Sequence, residues 1–395
     1  METWSAHQLY TEAESSLGEA AARNLQAYSE QLRAKGLPVI FSLRHLAELS
    51  GVRYWFLHET VNRMREVANY RMFAIKKRSG GRRHIHSVSN ELGRVQQWIN
   101  QHLLQNCKPH AASFAFHKEG GIRQCAERHC GARWLFQFDL VDFFYDVSER
   151  DCFNVFKGLG YRPLLAFELA RICTTTRLPA WCPRAEFHGE QLRWENIWCE
   201  DDLNPVNPNT SRNFPYYERF GRLGALPQGA PTSPMLSNLA AKYLDESLQH
   251  FANKNGLIYT RYADDITFSA CRLGVARGRV LWQVKDLIKR AHFAVNPKKT
   301  RIAGPGSKKL VLGLLVDGST PRISRETYKR IERLLYGAKQ FGFEAAASHF
   351  KFDSAYGFHN HLSGLVAFVK DVDRKRWQEF NAVLLNAKSS WGNDV

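Results

Sequence analysis

The stretch YTRYADDITFSA, residues 259–270, constrains this chain more than any other. Two acids, Asp264 and Asp265, stand side by side inside an apolar, aromatic segment that reads as a β-hairpin. Taken alone, the pair fits a turn, because aspartate is a good turn residue and commonly caps a hairpin. A second acidic group decides against stopping there. RWLFQFDLVDFF, residues 133–144, is strongly strand-like and then changes period, with Asp139 at the end of the apolar run and Asp142 three residues on. Three acids thus fall at strand ends in separate segments: Asp139, Asp264 and Asp265. Nucleotidyl transfer uses two divalent ions about 3.5–4 Å apart. Mg²⁺ takes oxygen ligands, commonly one or two carboxylates plus substrate phosphates. Two carboxylates brought together from neighbouring strands would supply such a site.

The bulk numbers point to the same kind of substrate. A formal charge of +17 and a pI of about 9.6 exceed what solubility requires and indicate a polyanionic partner, of which nucleic acid is the usual one. The charge is uneven: residues 1–35 hold five acids and three bases, whereas residues 272–333 hold sixteen Lys and Arg against four acids. At 395 residues and 44% hydrophobic, the chain can bury a core and does not have the composition of a disordered protein. The eight cysteines form no CxxC pair, the acidic N-terminal stretch lacks a signal-peptide core, and no run approaches the roughly 20 apolar residues of a membrane span. A reduced, cytoplasmic protein with free thiols is expected.

Along the chain, residues 1–35 read as one amphipathic helix and residues 40–70 as short helices. YRMFAIKKRSGGRRHIHSV reads as strand–turn–strand about Gly80-Gly81, and residues 90–105 as a helix. Two helices follow the 133–144 strand. Residues 177–222, with five Pro and three Trp, read as an insertion. SPMLSNLAAKYLDESLQHFANKNG reads as one helix with Pro near its start and Gly256 past its end. GRVLWQVKDLIKRAHF is a further helix, RIAGPGSKKLVLGLLVDG a strand pair, and the last 75 residues a helical region.

More parts suit the same reaction. IKKRSGGRRHI places Lys77 and Arg83 on a hairpin, apt for gripping a triphosphate. LPQGAPTSP, residues 226–234, is a Gly- and Pro-shaped loop ahead of a helix, and NPKKT, residues 296–300, adds Lys298 and Lys299.

The ordered set IKKRSGGRRHI, FDLVDFF, LPQGAPTSP, RYADD, NPKKT and LVLGLLV resembles a reverse transcriptase from about residue 70 to 320. The resemblance implies an α+β, right-hand polymerase fold with fingers, a ferredoxin-like palm and a helical thumb. On this chain that means an N-terminal helical region at 1–69, fingers at 70–132, palm with remaining fingers and the insertion at 133–318, and thumb at 319–395. It implies that Asp139, Asp264 and Asp265 bind two Mg²⁺. Tyr262 would contact the primer end, and Phe144 would be the steric gate against a ribose 2′-OH. Gln228 and Gly229 would line the incoming-nucleotide pocket, with Lys299 as general acid toward pyrophosphate.

The wording FDLVDFF, QGAPTSP and YADD is most similar to the bacterial retron enzymes. Those carry an Asn-Ala-x-x-His box where this chain has CAERH, residues 125–129, and a Val-Thr-Gly box where it has VLG, residues 311–313. The implied function is reverse transcription of part of a cognate noncoding RNA into short single-stranded DNA covalently joined to RNA. Priming would come from a guanosine 2′-OH, the substrates would be deoxynucleoside triphosphates, and a separate effector protein would act in anti-phage defence. Another bacterial defence-associated reverse transcriptase and a non-catalytic RNA-binding scaffold are the alternatives. His129, Lys308, Lys309, Lys329 and Arg330 are candidate RNA contacts, weighed against a structural histidine and a solvated helix face. Trp181, Trp194, Trp198, Tyr216 and Tyr217 in the insertion would stack on bases, dock a partner or simply pack the loop. Cys182, His188 and Cys199 lack the tight spacing of a zinc site. Asp142 and Cys125 read as structural.

Overall fold

Apolar periods and the glycines that interrupt them lay out the elements. The computed structural model describes residues 5–76, 80–180, 182 and 223–391. The chain opens with α1 (Ala6–Leu17), α2 (Glu19–Ala34), α3 (Leu43–Ser50), α4 (Tyr54–Val61) and α5 (Glu66–Asn69). Strands β1 (Tyr70–Lys76) and β2 (Arg82–Val88) follow, then α6 (Asn90–His102) and α7 (Ile122–Glu127). β3 (Trp134–Asp139) leads into α8 (Phe143–Asp146), α9 (Glu149–Leu159) and α10 (Pro163–Cys173). After the insertion come α11 (Ser233–Ala240), α12 (Lys242–Lys254), β4 (Ile258–Tyr262), β5 (Asp265–Ala270) and α13 (Arg277–Arg290). The short strands β6 (Arg301–Ala303), β7 (Leu310–Val311), β8 (Leu314–Leu315) and β9 (Arg322–Ile323) precede α14 (Arg325–His349), α15 (Ala355–Lys370) and α16 (Arg374–Trp391). The class is α+β, as expected.

By compactness the chain divides into two units, each built from several segments. The first holds Met1–Ala111, Leu140–Glu246 and Leu287–Ala294, the second Ala112–Asp139, Ser247–Asp286 and Val295–Val395.

In the first unit the expected single N-terminal helix is two. Gly18 stands between α1 and α2 at φ 85°, a conformation that ends a helix and costs glycine nothing. The β1–β2 hairpin turns through Gly80 and Gly81, at φ 86° and 80°. The helix expected across 233–254 breaks at Ala241, between a first half buried nearly all round and a second half with a single buried stripe.

A buried ionic network organises the first unit. Glu149 on α9 is fully buried, and its carboxylate receives Arg171 Nε at 2.6 Å and Arg63 Nη2 at 2.7 Å. Its Oε2 also accepts the Gly224 amide at 2.9 Å. Arg63 reaches Glu66 at 2.9 Å, and Glu66 Oε2 accepts the Thr175 hydroxyl and the Thr176 amide. Gly224 is obligatory here, because a Cβ would lie 2.5 Å from Arg63 Nη2 and 2.8 Å from Thr174 Oγ1. Burial works against the charge on Glu149, but the two guanidiniums outweigh it and hold the carboxyl below its ordinary range. Burial pulls Arg171 down, whereas the carboxylates beside Arg63 overcome its desolvation and push it up.

In the second unit four antiparallel strands stand in the order β4-β5-β3-β6. The stretch expected as one strand pair splits at Gly304-Pro305-Gly306. β6 pairs with β3, while β7 and β8 turn through Leu312 and Gly313 and continue to β9. Helices α14 to α16 close around Phe343, Phe358, Leu362 and Phe380. α14 kinks at Gly342, φ 74°.

Truncating Glu149 to Ala should lower stability by about 3 kcal/mol or more, since two guanidiniums would stay buried without their anion; a urea midpoint close to wild type would refute the network's role. Glu168 is only 6% exposed, and burial pushes its carboxyl up to about 7 from an ordinary 4.5. A raised folded value means the native state holds an extra proton between those limits, so stability falls as pH rises from about 4.5 through 7. Glu168→Gln should therefore be near neutral at pH 5 and raise Tm at pH 8.5; equal shifts at both would contradict this.

Candidate active site

The geometry of the acids follows from strand pairing. The registers place Asp139, the last residue of β3, directly opposite Asp265, the first of β5. Tyr262 and Asp265 are also partners, so the β4–β5 loop has two residues, Ala263 and Asp264. Ala263 takes φ 56°, a left-handed conformation costing roughly 1–2 kcal/mol for a residue with a Cβ. Arg261, fully buried, donates from Nη1 to Ala263 O at 3.1 Å and so braces this turn. Sequence reasoning passed over Arg261; the signal was an arginine inside an otherwise apolar strand.

Asp139 is buried, with 7% exposure. Its backbone carbonyl accepts the Asn296 amide at 2.8 Å, which fastens the NPKKT turn to the end of β3. From that turn Lys299 Nζ reaches Asp139 Oδ2 at 2.7 Å, and this hydrogen bond pushes the lysine up. Asp265 opens to water on one side, yet burial by the protein on its other side pushes its carboxyl up to about 6. The negative charges of Asp264 and Asp139 act the same way, and Lys299 opposes them. Tyr262 is half-buried and packs against the apolar core of its unit.

The donor set is oxygen only, which suits a hard divalent cation. An ammonium already sits on one Asp139 oxygen, and the Asp265 carboxyl is raised by burial first and by the charges of Asp264 and Asp139 after it. Among the described residues, no three His, Cys, Asp or Glu side chains are gathered within metal-binding reach. The carboxylates stand as a facing pair, Asp139 and Asp265, with Asp264 next in sequence.

His129 lies in the interior of the second unit, 0% exposed. Its ring links the two strands of the β4–β5 hairpin, with Nδ1 2.7 Å from Ser269 Oγ on β5 and Nε2 2.7 Å from Thr260 Oγ1 on β4. Burial pushes its pKa down to about 3, so the ring is neutral. Cys125, where retron enzymes have Asn, donates to the same Thr260 oxygen at 3.3 Å. So placed, His129 presents no atom to a bound RNA. Lys309 is also buried, with Nζ donating to Ser307 O and 3.5 Å from Asp317. Lys308 pairs with Glu326 at 2.9 Å, Arg330 meets His361 at 3.0 Å, and Lys329 is exposed.

The other expected residues belong to the first unit. Arg83 is exposed on β2, opposite Ile75. Phe144 is half-buried beside Phe143. Gln228 accepts the His86 amide at 2.7 Å, and Gly229 has φ 114° with no room for a Cβ, which would meet His86 O at 2.6 Å. The glycine is therefore required by the close approach of β2. Lys77, His188, Cys199 and the insertion's Trp181, Trp194, Trp198, Tyr216 and Tyr217 lie outside the described residues. Cys182 is buried beside Tyr145 and, like the other described cysteines, is a free thiol. Among the described residues no helix is long and apolar enough to cross a membrane.

Comparison with known proteins gives the family. Residues 75–316 match the family described as reverse transcriptase (RNA-dependent DNA polymerase). The retron Ec86 reverse transcriptase of Escherichia coli is 28% identical over 369 residues, covering 92% of this chain and 95% of that protein. The Mx162 and Mx65 retron reverse transcriptases of Myxococcus xanthus are 27% and 31% identical, over 91% and 88% of this chain and 70% and 72% of their own lengths. Among solved structures, telomerase from Candida albicans with a telomeric RNA fragment aligns at a TM-score of 0.37 and 12% identity, over 81% of this chain and 56% of that one. Enzymes of the matched family work with divalent metal ions on an RNA template. The chain belongs to the reverse transcriptases and, within them, to the retron type, an RNA-directed DNA polymerase.

Proposed function

We propose that this enzyme copies part of a cognate structured noncoding RNA into a short single-stranded DNA that stays covalently joined to RNA. In this reading the product and protein restrain a separate effector in anti-phage defence in the cytoplasm. The observation that carries the catalytic part is the facing pair Asp139 and Asp265, with Asp264 beside it and Lys299 at hand.

Asp139, Asp264 and Asp265 are the ligands of two Mg²⁺ ions. Held there, the ions would supply Lewis-acid activation of the primer hydroxyl and charge neutralisation for the departing pyrophosphate. The primer oxygen attacks the α-phosphorus of a deoxynucleoside triphosphate, and the bond to the β-phosphate oxygen breaks. Lys77 and Arg83 grip the triphosphate, and Gln228 and Gly229 line the nucleotide pocket. Phe144 excludes a ribose 2′-OH, Tyr262 supports the primer end, and Lys299 holds a proton for the pyrophosphate. Lys308, Lys329 and Arg330 meet RNA phosphates, contacts that position the RNA without reading its sequence. His129 and Lys309, both buried, have no part in this.

The first test is to express the chain with its native flanking DNA, purify it, and digest the bound nucleic acid with RNase and DNase. A discrete short DNA joined to RNA is expected, and Asp264→Ala/Asp265→Ala should abolish it. Bound RNA alone, unchanged by the mutation, would favour the scaffold; unbranched DNA would favour another defence-type polymerase. Phe144→Ala should raise ribonucleotide incorporation at least tenfold relative to deoxynucleotide, about 1.4 kcal/mol of lost discrimination. An unchanged ratio in single-nucleotide extension would remove Phe144 from that role.

A further inference from the structure

The contact between Lys299 and Asp139 joins a mostly exposed cation to a buried anion, with side-chain exposures of 57% and 10%. It is not a chance meeting of flexible side chains. Asn296 donates its amide to the carbonyl of Asp139 itself, at 2.8 Å. The Lys299 amide and the Thr300 hydroxyl then donate to Asn296 O, at 3.2 and 3.1 Å, and the Lys298 amide to Asn296 Oδ1 at 3.1 Å. The turn is thus built on the residue whose carboxylate Lys299 holds, and the ammonium is delivered to Oδ2 by backbone hydrogen bonding.

We infer that Lys299 is the resident counter-cation of Asp139, and that a divalent metal ion and the lysine ammonium occupy this carboxylate in exchange. The inference rests on reading the three aspartates as a metal site. A metal ion sits roughly 2.0–2.1 Å from its carboxylate oxygen. On the oxygen that Lys299 already holds at 2.7 Å, it would bring a double positive charge within a few ångströms of the ammonium. Cations so close repel strongly, so one must leave. The lysine is the one that can: its four-carbon stem lies largely in water, and its head group is readily rehydrated. Metal loading then frees the ammonium that is hydrogen-bonded to Asp139, in the same event that admits a phosphate-bearing substrate. Asp139 stays compensated beforehand, and the lysine meets phosphate afterwards.

The exchange predicts that the lysine weakens metal binding. The test titrates Mn²⁺ into the full-length chain, freed of nucleic acid, and counts bound ion by electron paramagnetic resonance. Lys299→Met should bind Mn²⁺ about three- to tenfold more tightly than wild type, the range expected when one charge-assisted hydrogen bond no longer competes. Lys299→Arg, which keeps the cation, should stay close to wild type. Lys298→Met removes the same charge from the neighbouring exposed residue and should change affinity by less than twofold. Asp139→Asn should lose the binding in every background. Unchanged or weaker binding in Lys299→Met would overturn the exchange while leaving the metal site intact. An equal gain in Lys298→Met would overturn it in favour of bulk charge. No Mn²⁺ binding by wild type would overturn both the exchange and the metal reading beneath it.

Discussion

Asp139 and Asp265 face each other because β3 and β5 are hydrogen-bonded antiparallel strands whose register ends on that pair. Like charges directly opposite one another destabilise a sheet. The backbone nevertheless holds them there; burial pushes the Asp265 carboxyl up, and the charges of Asp264 and Asp139 add to that push. Everything else at this end of the sheet answers it. Lys299 brings a positive charge to one carboxylate, and a tight two-residue loop carries Asp264 alongside. A site that is electrostatically frustrated by itself is the kind that a divalent cation completes.

Holding such a pair in place requires a rigid support, and the support is polar and buried. Arg261 braces the strained carbonyl of Ala263, and the neutral ring of His129 links the two strands of the hairpin through Thr260 and Ser269. Each such group would be costly if left unpaired in the interior. Here their pairing converts that cost into a fixed geometry. Cys125, four residues before His129, joins the same strut, since its thiol also donates to Thr260 Oγ1. The first unit uses the same principle with full charges, where Glu149 collects two guanidiniums and a backbone amide.

Much of this was legible in the order of residues. The acids at strand ends, the glycine pair of the β1–β2 turn and the helical tail follow from local periodicity and short-range chemistry, which sequence carries directly, and the motif order showed itself through resemblance to a family. Helix breaks were harder to see. Gly18 is a visible signal, but Ala241 is not, because the reason to turn there is a change in which faces are buried. The split of residues 301–315 between two sheets was likewise invisible, since β6 chooses β3 as its partner, 168 positions earlier in the register pair Leu135 and Ala303. His129 reads as well for an RNA contact as for a buried strut, and only its surroundings separate the two.

The sequence by itself determined that three carboxylates, a basic hairpin and a basic stretch at 272–333 belong to one chain, and in which order its motifs stand. The tertiary structure decided which of those groups meet. It set Asp139 against Asp265, gave Lys299 to Asp139, withdrew His129 and Lys309 from solvent, and assigned Gly229 to the approach of His86. These are long-range pairings fixed by strand register and burial, and neither is encoded in any local stretch of residues.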